Sequence, residues 1–184
     1  MTDIDVSALV LADRIHGRLY YDPAIFAQEQ RRIWDKVWVY LGHESEIPAR
    51  GDYVRRQLGL QPVILVRGAD GAIRVLYNRC RHRANLVCHK DRGNAAELNC
   101  PYQGWTYATD GRLVAGWDEA EGGKGRVVIG RTQPATSHPV TFTREIVPDA
   151  DSAQYPVVAK TPDGEIVAWV SGSATASVIR VRAR

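Results

Sequence analysis

The chain has 184 residues, of which 45% are apolar and 24% charged, so it is long enough to bury one core and a small second one. This composition excludes a disordered or collagen-like chain. The 24 basic and 21 acidic side chains leave a net charge of +3. That balance is too even to indicate a nucleic acid or an anionic membrane as the partner.

The N-terminal segment lacks the features of a targeting signal. It begins Met1-Thr2-Asp3-Ile4-Asp5, without a basic region followed by an apolar run. No stretch of the chain approaches the roughly 18 uninterrupted apolar residues of a membrane-spanning helix. We therefore expect a cytoplasmic protein with no membrane association.

A helix is predicted to begin at Asp22-Pro23, with Asp22 as the N-cap and Pro23 in the first turn. The apolar residues that follow recur at three- and four-residue spacings: Phe26, Ile33, Trp34, Val37, Trp38 and Leu41. This periodicity predicts an amphipathic helix whose aromatic face lies in the core or against another subunit.

From Gly51 onward the pattern changes to short β-type runs separated by turn residues. Asp70-Gly71 and Asp110-Gly111 are hairpin turns. The strand candidates on either side of them are residues 53–54, 62–66, 73–77, 105–107 and 112–114. The sequence thus predicts a mainly β fold after an N-terminal helix, an antiparallel β-sandwich made of small hairpins.

The last third of the chain begins with the polar, Gly-rich segment Asp118–Gly125, which we interpret as a loop or linker. A further hairpin turns at Pro162-Asp163-Gly164. We therefore expect an N-terminal helical segment at 1–43, a hairpin domain at 44–121, and a Gly-rich linker with a β-rich tail at 122–184.

Three cysteines lie within one short region, Cys80, Cys88 and Cys100. An odd, clustered set argues against a secreted disulfide scaffold and for thiolate or metal chemistry. Cys80-Arg81-His82 and Cys100-Pro101-Tyr102 each lie at the tip or flank of a hairpin, so two loops could present ligands to one metal. Mixed Cys and His ligation suits zinc or an iron–sulfur cluster, and ligand softness alone does not choose between them.

Several segments, in order, closely resemble the Rieske domain of the α subunits of aromatic-ring-hydroxylating oxygenases. They cover roughly the first two thirds of the chain. The matching segments are 38–48, 51–53, 78–83, 91–94, 100–105 and the hairpin from Trp105 to Leu113. The resemblance implies a Rieske-like β-sandwich with two cluster-binding loops.

The family's first loop reads Cys-x-His and its second reads Cys-Pro-Tyr-His-Gly-Trp, and its [2Fe–2S] cluster has two Cys on one iron and two His on the other. The resemblance assigns Cys80 and Cys100 to one iron and His82 to the other. The second histidine position holds Gln103, whose amide oxygen is a harder and weaker donor than an imidazole nitrogen.

The substitution at Gln103 leaves several outcomes open. The cluster could form with Gln103 or water as the fourth ligand, it could be labile, or the domain could keep its fold without a cluster. The alternative function is thus a cluster-less binding or assembly module, or a decayed, truncated oxygenase. A zinc or mononuclear iron site at Cys80, His82 and Cys100 is a third hypothesis.

The family's cluster accepts electrons from a ferredoxin or reductase and passes them to a mononuclear iron in a neighbouring subunit. That iron is bound by an Asp-x-x-His-x-x-x-x-His type of segment, whereas this sequence has only His138 after residue 113. We therefore expect no mononuclear iron site and no catalytic residue here. The chain belongs by resemblance to an oxidoreductase family but is not expected to hydroxylate substrate alone.

The remaining candidates have simpler interpretations. Cys88 is interpreted as a small buried residue. Ordinary polar roles are expected for His16, His43, His89 and His138. Four arginines crowd the first loop, and they form either a basic rim that docks an acidic donor or a neighbouring subunit, or a solvated loop: Arg79, Arg81, Arg83 and Arg92.

Overall fold

The computed structural model describes residues 3–133, 141–150, 152–161, 164–173 and 175–183. The chain divides into two compact units, one formed by residues 1–41 with 57–61 and the other by residues 42–56 with 62–184. Within the described residues, no helix has both the length and the apolar character needed to span a membrane.

The first unit is helical. It contains a 3-10 turn at Ser7–Leu9, α1 at Arg18–Tyr21, α2 at Pro23–Glu29 and a π-helical turn at Gln30–Trp34. Asp22 is the N-cap of α2, because its Oδ1 accepts a hydrogen bond of 2.8 Å from the Ala24 N–H.

The predicted amphipathic helix is too long, and its aromatic face is not a core of this chain. The helical structure ends at Trp34, and the side chains of Phe26 and Trp38 are 46% and 103% exposed. The π-helical turn adds residues to one turn, so the 3.6-residue spacing no longer keeps the aromatic residues on one face. The polar Gln28 is buried instead, with hydrogen bonds of 2.7 and 3.0 Å to the backbone of Ile4.

The remainder of the chain is mainly β, as the sequence predicts. A 3-10 turn at Glu44–Glu46 precedes the strands. The strands are β1 Asp52–Leu58, β2 Gln61–Arg67, β3 Ile73–Tyr77, β4 Arg92–Asn94, β5 Glu97–Asn99, β6 Thr106–Ala108, β7 Leu113–Glu121, β8 Lys124–Thr132, β9 Phe142–Ile146, β10 Ala153–Thr161, β11 Gly164–Ser173 and β12 Ala176–Ala183.

The strands form three sheets. Their orders are β3-β2-β1-β4, β5-β6-β7-β8-β9 and β10-β11-β12, and the registered pairs are antiparallel. The predicted turns at Gly71 and Gly111 are present, and both glycines have φ of +87°. A positive φ is the conformation that glycine adopts without steric cost.

The linker prediction is wrong. Strands β7 and β8 pair continuously from Val114↔Arg131 to Glu121↔Lys124, and the chain reverses at Gly122-Gly123, where φ is +61° and +79°. Two successive residues with positive φ form the tight turn that matches the twist of a β-hairpin. The glycines therefore close a long hairpin, and the boundary predicted at 121/122 falls in its turn. The turn at Pro162-Asp163 lies outside the described residues.

Three clusters of buried apolar residues stabilise the sheets in the part of the chain that the structure describes, and the smallest consists of Ile47, Val54 and Leu65. Of the two larger clusters, the first lies beneath the cysteine loops and includes Tyr53, Ile64 and Leu98, together with the three cysteines. The second joins the long hairpin to the last sheet, with Val127 and Val167 fully buried.

Glycines allow strand β10 to approach the long hairpin closely. A Cβ at Gly125 would lie 2.6 Å from the Ala153 carbonyl oxygen, and one at Gly116 would lie 2.9 Å from a methyl carbon of Val158. Real side chains do not tolerate such distances, so both positions require glycine for this packing. Strand β10 therefore packs against the long hairpin, and it also reaches β6, where the Thr106 hydroxyl donates to the Val158 carbonyl at 3.3 Å.

Candidate metal centre

The two cysteine loops have the same backbone frame. In the first, the Cys80 N–H donates to the Asn85 carbonyl at 2.7 Å and the Ala84 N–H donates to the Cys80 carbonyl at 2.9 Å. In the second, the Cys100 N–H donates to the Trp105 carbonyl and the Gly104 N–H to the Cys100 carbonyl, both at 2.9 Å. The donors and acceptors thus have identical sequence offsets in the two loops.

The fifth residue of each loop is in the left-handed region, with φ of +57° at Ala84 and +68° at Gly104. This conformation curls the backbone around each cysteine. Glycine adopts it freely in the second loop, whereas alanine in the first pays a steric cost of about 1 kcal/mol. The surrounding contacts must therefore offset that cost at Ala84.

The thiols of Cys80 and Cys100 are buried at 3% exposure and hydrogen-bond to each other. Burial raises the pKa of Cys80, although the Tyr107 hydroxyl and the His82 backbone N–H oppose the change. Burial also acts to raise the pKa of Cys100, but hydrogen bonds from the Tyr102 N–H, the Cys80 thiol and the Gln103 N–H together outweigh it and lower this pKa. Cys100 is thus the better stabilised thiolate.

Tyr107 connects β6 to the first loop. Its hydroxyl lies 3.2 Å from Cys80 Sγ and accepts a hydrogen bond of 2.8 Å from the Arg81 N–H. Burial, with a further effect of the Cys80 hydrogen bond, raises the pKa of this phenol, so it keeps its proton and donates to the sulfur. Asn85 Nδ2 lies 3.9 Å from Cys100 Sγ.

Asn78 holds the segment that follows the first cysteine loop, at Val87 and Cys88. Its side chain is fully buried; Oδ1 accepts from the N–H groups of Val87 and Cys88 at 3.0 and 2.8 Å, and Nδ2 donates to the Cys88 carbonyl at 2.8 Å. The positioning roles of Asn78 and Tyr107 are not predicted from the sequence. Asn78 lies two residues before Cys80, in one of the segments that resemble the family. Its amide side chain at that position is the feature of the sequence that could have indicated this role.

The structure brings Cys80 and Cys100 together, and it places the other two predicted ligands at the loop surface. The half-buried His82 ring stacks on Trp105, with centroids 5.0 Å apart and planes inclined by 28°. Gln103 is exposed. Over the residues that the structure describes, no three His, Cys, Asp or Glu side chains converge as a metal-binding group.

The remaining cysteine and histidines make structural contacts. Cys88 is buried, and burial raises its pKa to about 11. His89 lies 3.1 Å from the Leu86 carbonyl through Nε2, and His43 caps the 3-10 turn at Glu44–Glu46. His16 accepts a hydrogen bond from the Arg18 N–H. The remaining histidine, His138, lies outside the described residues.

The arginines around the first loop are exposed: Arg79, Arg81, Arg83 and Arg92. The Arg83 guanidinium lies 5.9 Å from the centre of the Tyr102 ring and 3.4 Å from its hydroxyl. This contact links the rims of the two loops and leaves a surface of basic side chains beside the buried thiols.

Comparisons with known proteins agree with this geometry. Residues 37–124 match the family described as the Rieske [2Fe-2S] domain. The chain is 47% identical over 110 residues to the N,N-dimethyl phenylurea N-demethylase subunit alpha of Sphingobium sp. strain YBL2, covering 59% of this chain and 24% of that protein. It is 43% identical over 115 residues to the biphenyl 2,3-dioxygenase subunit alpha of Rhodococcus jostii RHA1, covering 61% and 25%.

A crystal structure of naphthalene 1,2-dioxygenase from Rhodococcus sp. bound to indole aligns with a TM-score of 0.51 at 45% identity, over 53% of this chain and 22% of that one. Residues 37–124, which carry the paired loops, are thus similar to a Rieske [2Fe-2S] domain. The chain is similar to a part of these oxygenase α subunits. It spans about a quarter of the length of these curated relatives.

Proposed function

We propose that this chain is an electron-transfer module of an aromatic-ring-hydroxylating oxygenase, with a [2Fe–2S] cluster held by its two cysteine loops. The observation that carries the proposal is the repeated loop frame, which presents two buried thiols to one point. Cys80 and Cys100 would bind one iron. His82 and, at the fourth position, Gln103 or water would bind the other.

The donor set fits the two halves of such a cluster unequally. The thiol half is complete, because both sulfurs are buried and backbone N–H groups hydrogen-bond to them. Such hydrogen bonds stabilise a thiolate and raise the potential of an iron–sulfur cluster. The other half has one imidazole and one amide, so the cluster is expected to bind more weakly than with two histidines.

A bound cluster would accept and release single electrons. The protein keeps water from the sulfurs through the core beneath the loops. The Tyr107 hydroxyl donates to Cys80, and the Trp105 ring fixes the orientation of His82. The geometry of such a rigid set of ligands changes little when the cluster gains or loses an electron, and this favours fast electron transfer.

The proposed partners are a ferredoxin or reductase as the electron donor and other subunits of the oxygenase. The exposed arginines beside the thiols support an acidic docking partner, because complementary charge accelerates encounter and orients it. Three free cysteines support a reducing compartment such as the cytoplasm. Hydroxylation itself would require a mononuclear iron site, and within the described residues no three metal-ligating side chains come together to form one.

Replacement of Gln103 by histidine tests the proposal directly. After reconstitution with iron and sulfide, we expect Gln103→His to bind the cluster roughly tenfold or more tightly than the wild type, because a second imidazole completes the ligand set. Visible absorption and the EPR signal of the reduced protein measure cluster content. Gln57→His, at an exposed position outside the loops, is the matched control and should leave cluster content unchanged.

The alternative is a Rieske-fold binding or assembly module without a cluster, which the exposed Gln103 favours. Iron and sulfide analysis separates the two functions. A wild type that stays folded without iron, together with cluster binding by Gln103→His, would support the alternative. Absence of a cluster from both proteins would overturn the electron-transfer proposal.

A further inference from the structure

An open groove of about 490 Å³ lies against the five-stranded sheet β5-β6-β7-β8-β9. We call it the aromatic groove. The described residues that line it are Trp105, Ala115, Trp117, Glu119, Phe142 and Arg144. Sites for small molecules in proteins usually occupy roughly 300 to 1,000 Å³ and have mainly apolar and aromatic walls with a few polar groups. The size and the lining of the groove agree with such a site.

The rings of Trp117 and Phe142 form a corner in the groove. Their centroids are 6.5 Å apart, their planes are inclined by 81°, and Phe142 is 40% exposed. Aromatic rings attract each other best in offset-stacked and edge-to-face arrangements. A planar ring placed parallel to one of these two rings is nearly perpendicular to the other, so it can make both arrangements at once. The corner therefore favours an aromatic ligand over an aliphatic ligand of the same size.

A glycine in the central strand allows the two rings to converge. Gly130 of β8 pairs with Ala115 of β7 and with Arg144 of β9. A Cβ at Gly130 would lie 2.6 Å from a ring carbon of Trp117 and 3.0 Å from a ring carbon of Phe142. Both rings thus pack where a side chain at position 130 would otherwise stand. This packing holds the rings in place and reduces the entropy that they lose when a ligand binds.

The polar groups of the groove are paired with each other. The Trp117 Nε1–H donates to Glu119 Oε1 at 2.7 Å, and the Arg144 guanidinium forms an ion pair with the other oxygen of Glu119. A cationic ligand would need the Glu119 carboxylate free of Arg144, and an anionic ligand would need Arg144 free of Glu119. The charges of the groove therefore favour a neutral ligand.

We propose that the aromatic groove binds a neutral, planar aromatic molecule of one or two rings. An enclosed cavity of about 150 Å³ already holds benzene, so the groove has room for this class of ligand. Because one side of the groove is open to solvent, we expect a dissociation constant on the order of 1 mM for a one-ring probe. The proposal does not rest on the electron-transfer function, because the chain's own side chains form the groove.

Two matched alcohols test the preference for an aromatic ring. Benzyl alcohol and cyclohexylmethanol share one carbon skeleton, and only the first has an aromatic ring. We expect benzyl alcohol to bind saturably and at least about threefold more tightly than cyclohexylmethanol. Titration of the isotope-labelled protein followed by two-dimensional NMR measures the affinity, and a shift of the Gly130 amide resonance locates the ligand. Absence of saturable binding, or equal affinities for the two alcohols, would overturn the proposal.

The two phenylalanines of the chain provide a matched pair of variants. Phe142 lines the groove, whereas Phe26 lies on α2 and is similarly exposed, at 46%. We expect Phe142→Ala to weaken the binding of benzyl alcohol at least about fivefold, and Phe26→Ala to leave it within about twofold of the wild type. Circular dichroism checks that both variants are folded. An affinity that Phe142→Ala does not lower would overturn the placement of the ligand in the groove.

Replacement of Arg144 tests the charge of the ligand. Arg144→Ala leaves the Glu119 carboxylate without its ion pair beside two aromatic rings, an arrangement that suits a quaternary ammonium ion. We expect tetramethylammonium to bind this variant at least about fivefold more tightly than it binds the wild type. A wild type that binds tetramethylammonium more tightly than benzyl alcohol would overturn the assignment of a neutral ligand. An affinity for tetramethylammonium that Arg144→Ala leaves unchanged would overturn it as well.

Discussion

At the scale of single residues, buried polar side chains decide the shape of the first cysteine loop. Asn78 satisfies two backbone N–H groups and one carbonyl with its single amide, and Tyr107 joins β6 to Cys80 and Arg81. A buried polar group without a partner costs more free energy than a formed hydrogen bond contributes. These two residues therefore act as positioning residues for the thiol.

Replacing Asn78 by alanine should strongly destabilise the protein. The change leaves the N–H groups of Val87 and Cys88 and the Cys88 carbonyl without their partner, at an expected cost of about 3 kcal/mol in the free energy of unfolding. Urea denaturation measures that free energy. The exposed Asn94 also hydrogen-bonds backbone, to the Arg50 carbonyl at 2.9 Å, and Asn94→Ala should cost less than about 1 kcal/mol. Equal costs would contradict the role of Asn78.

The buried Cys88 should make stability fall in alkaline solution. Its pKa rises from 9.0 to about 11 on burial, so the folded state holds this proton more tightly than the unfolded state does. The stabilisation is complete below pH 9.0 and is lost as the pH rises toward about 11.

The loss attributable to Cys88 should reach about 2 to 3 kcal/mol. Comparison of the free energies of unfolding of wild type and Cys88→Ala across this pH range isolates the effect, because all other titrating groups are shared. Parallel curves for the two proteins would show that Cys88 does not contribute.

At the scale of elements, the sequence predicted the hairpins better than the packing between them. Asp-Gly turns and alternating runs are local signals, and the turns at Gly71 and Gly111 follow from them. The helix was predicted too long because a π-helical turn leaves no mark in the apolar spacing. Gly122-Gly123 predicts a linker as readily as a turn, because consecutive glycines suit either a flexible segment or a tight hairpin turn.

The close approach of β8 and β10 should depend on Gly125. A Cβ there would meet the backbone oxygen of Ala153 at 2.6 Å, and a backbone atom cannot move aside as the end of a side chain can. Gly125→Ala should therefore cost about 1 to 3 kcal/mol and increase amide hydrogen exchange in β10. At Gly17, where the nearest atom is the Tyr21 ring carbon at 4.0 Å, alanine should have little effect. Unchanged exchange in β10 would exclude this packing constraint.

At the scale of the whole molecule, the cysteine spacing identified the thiol pair, but not what surrounds it. The Cys-x-His and Cys-Pro-Tyr patterns are local, so both loops and both thiols could be predicted. Tyr107 lies 26 residues from Arg81 and Val158 lies 52 from Thr106, and no periodicity reports contacts over such separations.

The repeated backbone frame of the two loops also separates the requirement for folding from the requirement for metal binding, although both concern the same few residues. Its hydrogen bonds join backbone groups, so the shape of each loop is set without the side chains that would hold iron. An exchange such as histidine for glutamine at position 103 can then alter the affinity for metal while folding continues. Mutations that abolish redox activity would consequently leave the protein folded, so selection against unfolded proteins would not remove them. A scaffold of this kind can acquire a new role after it has lost the old one.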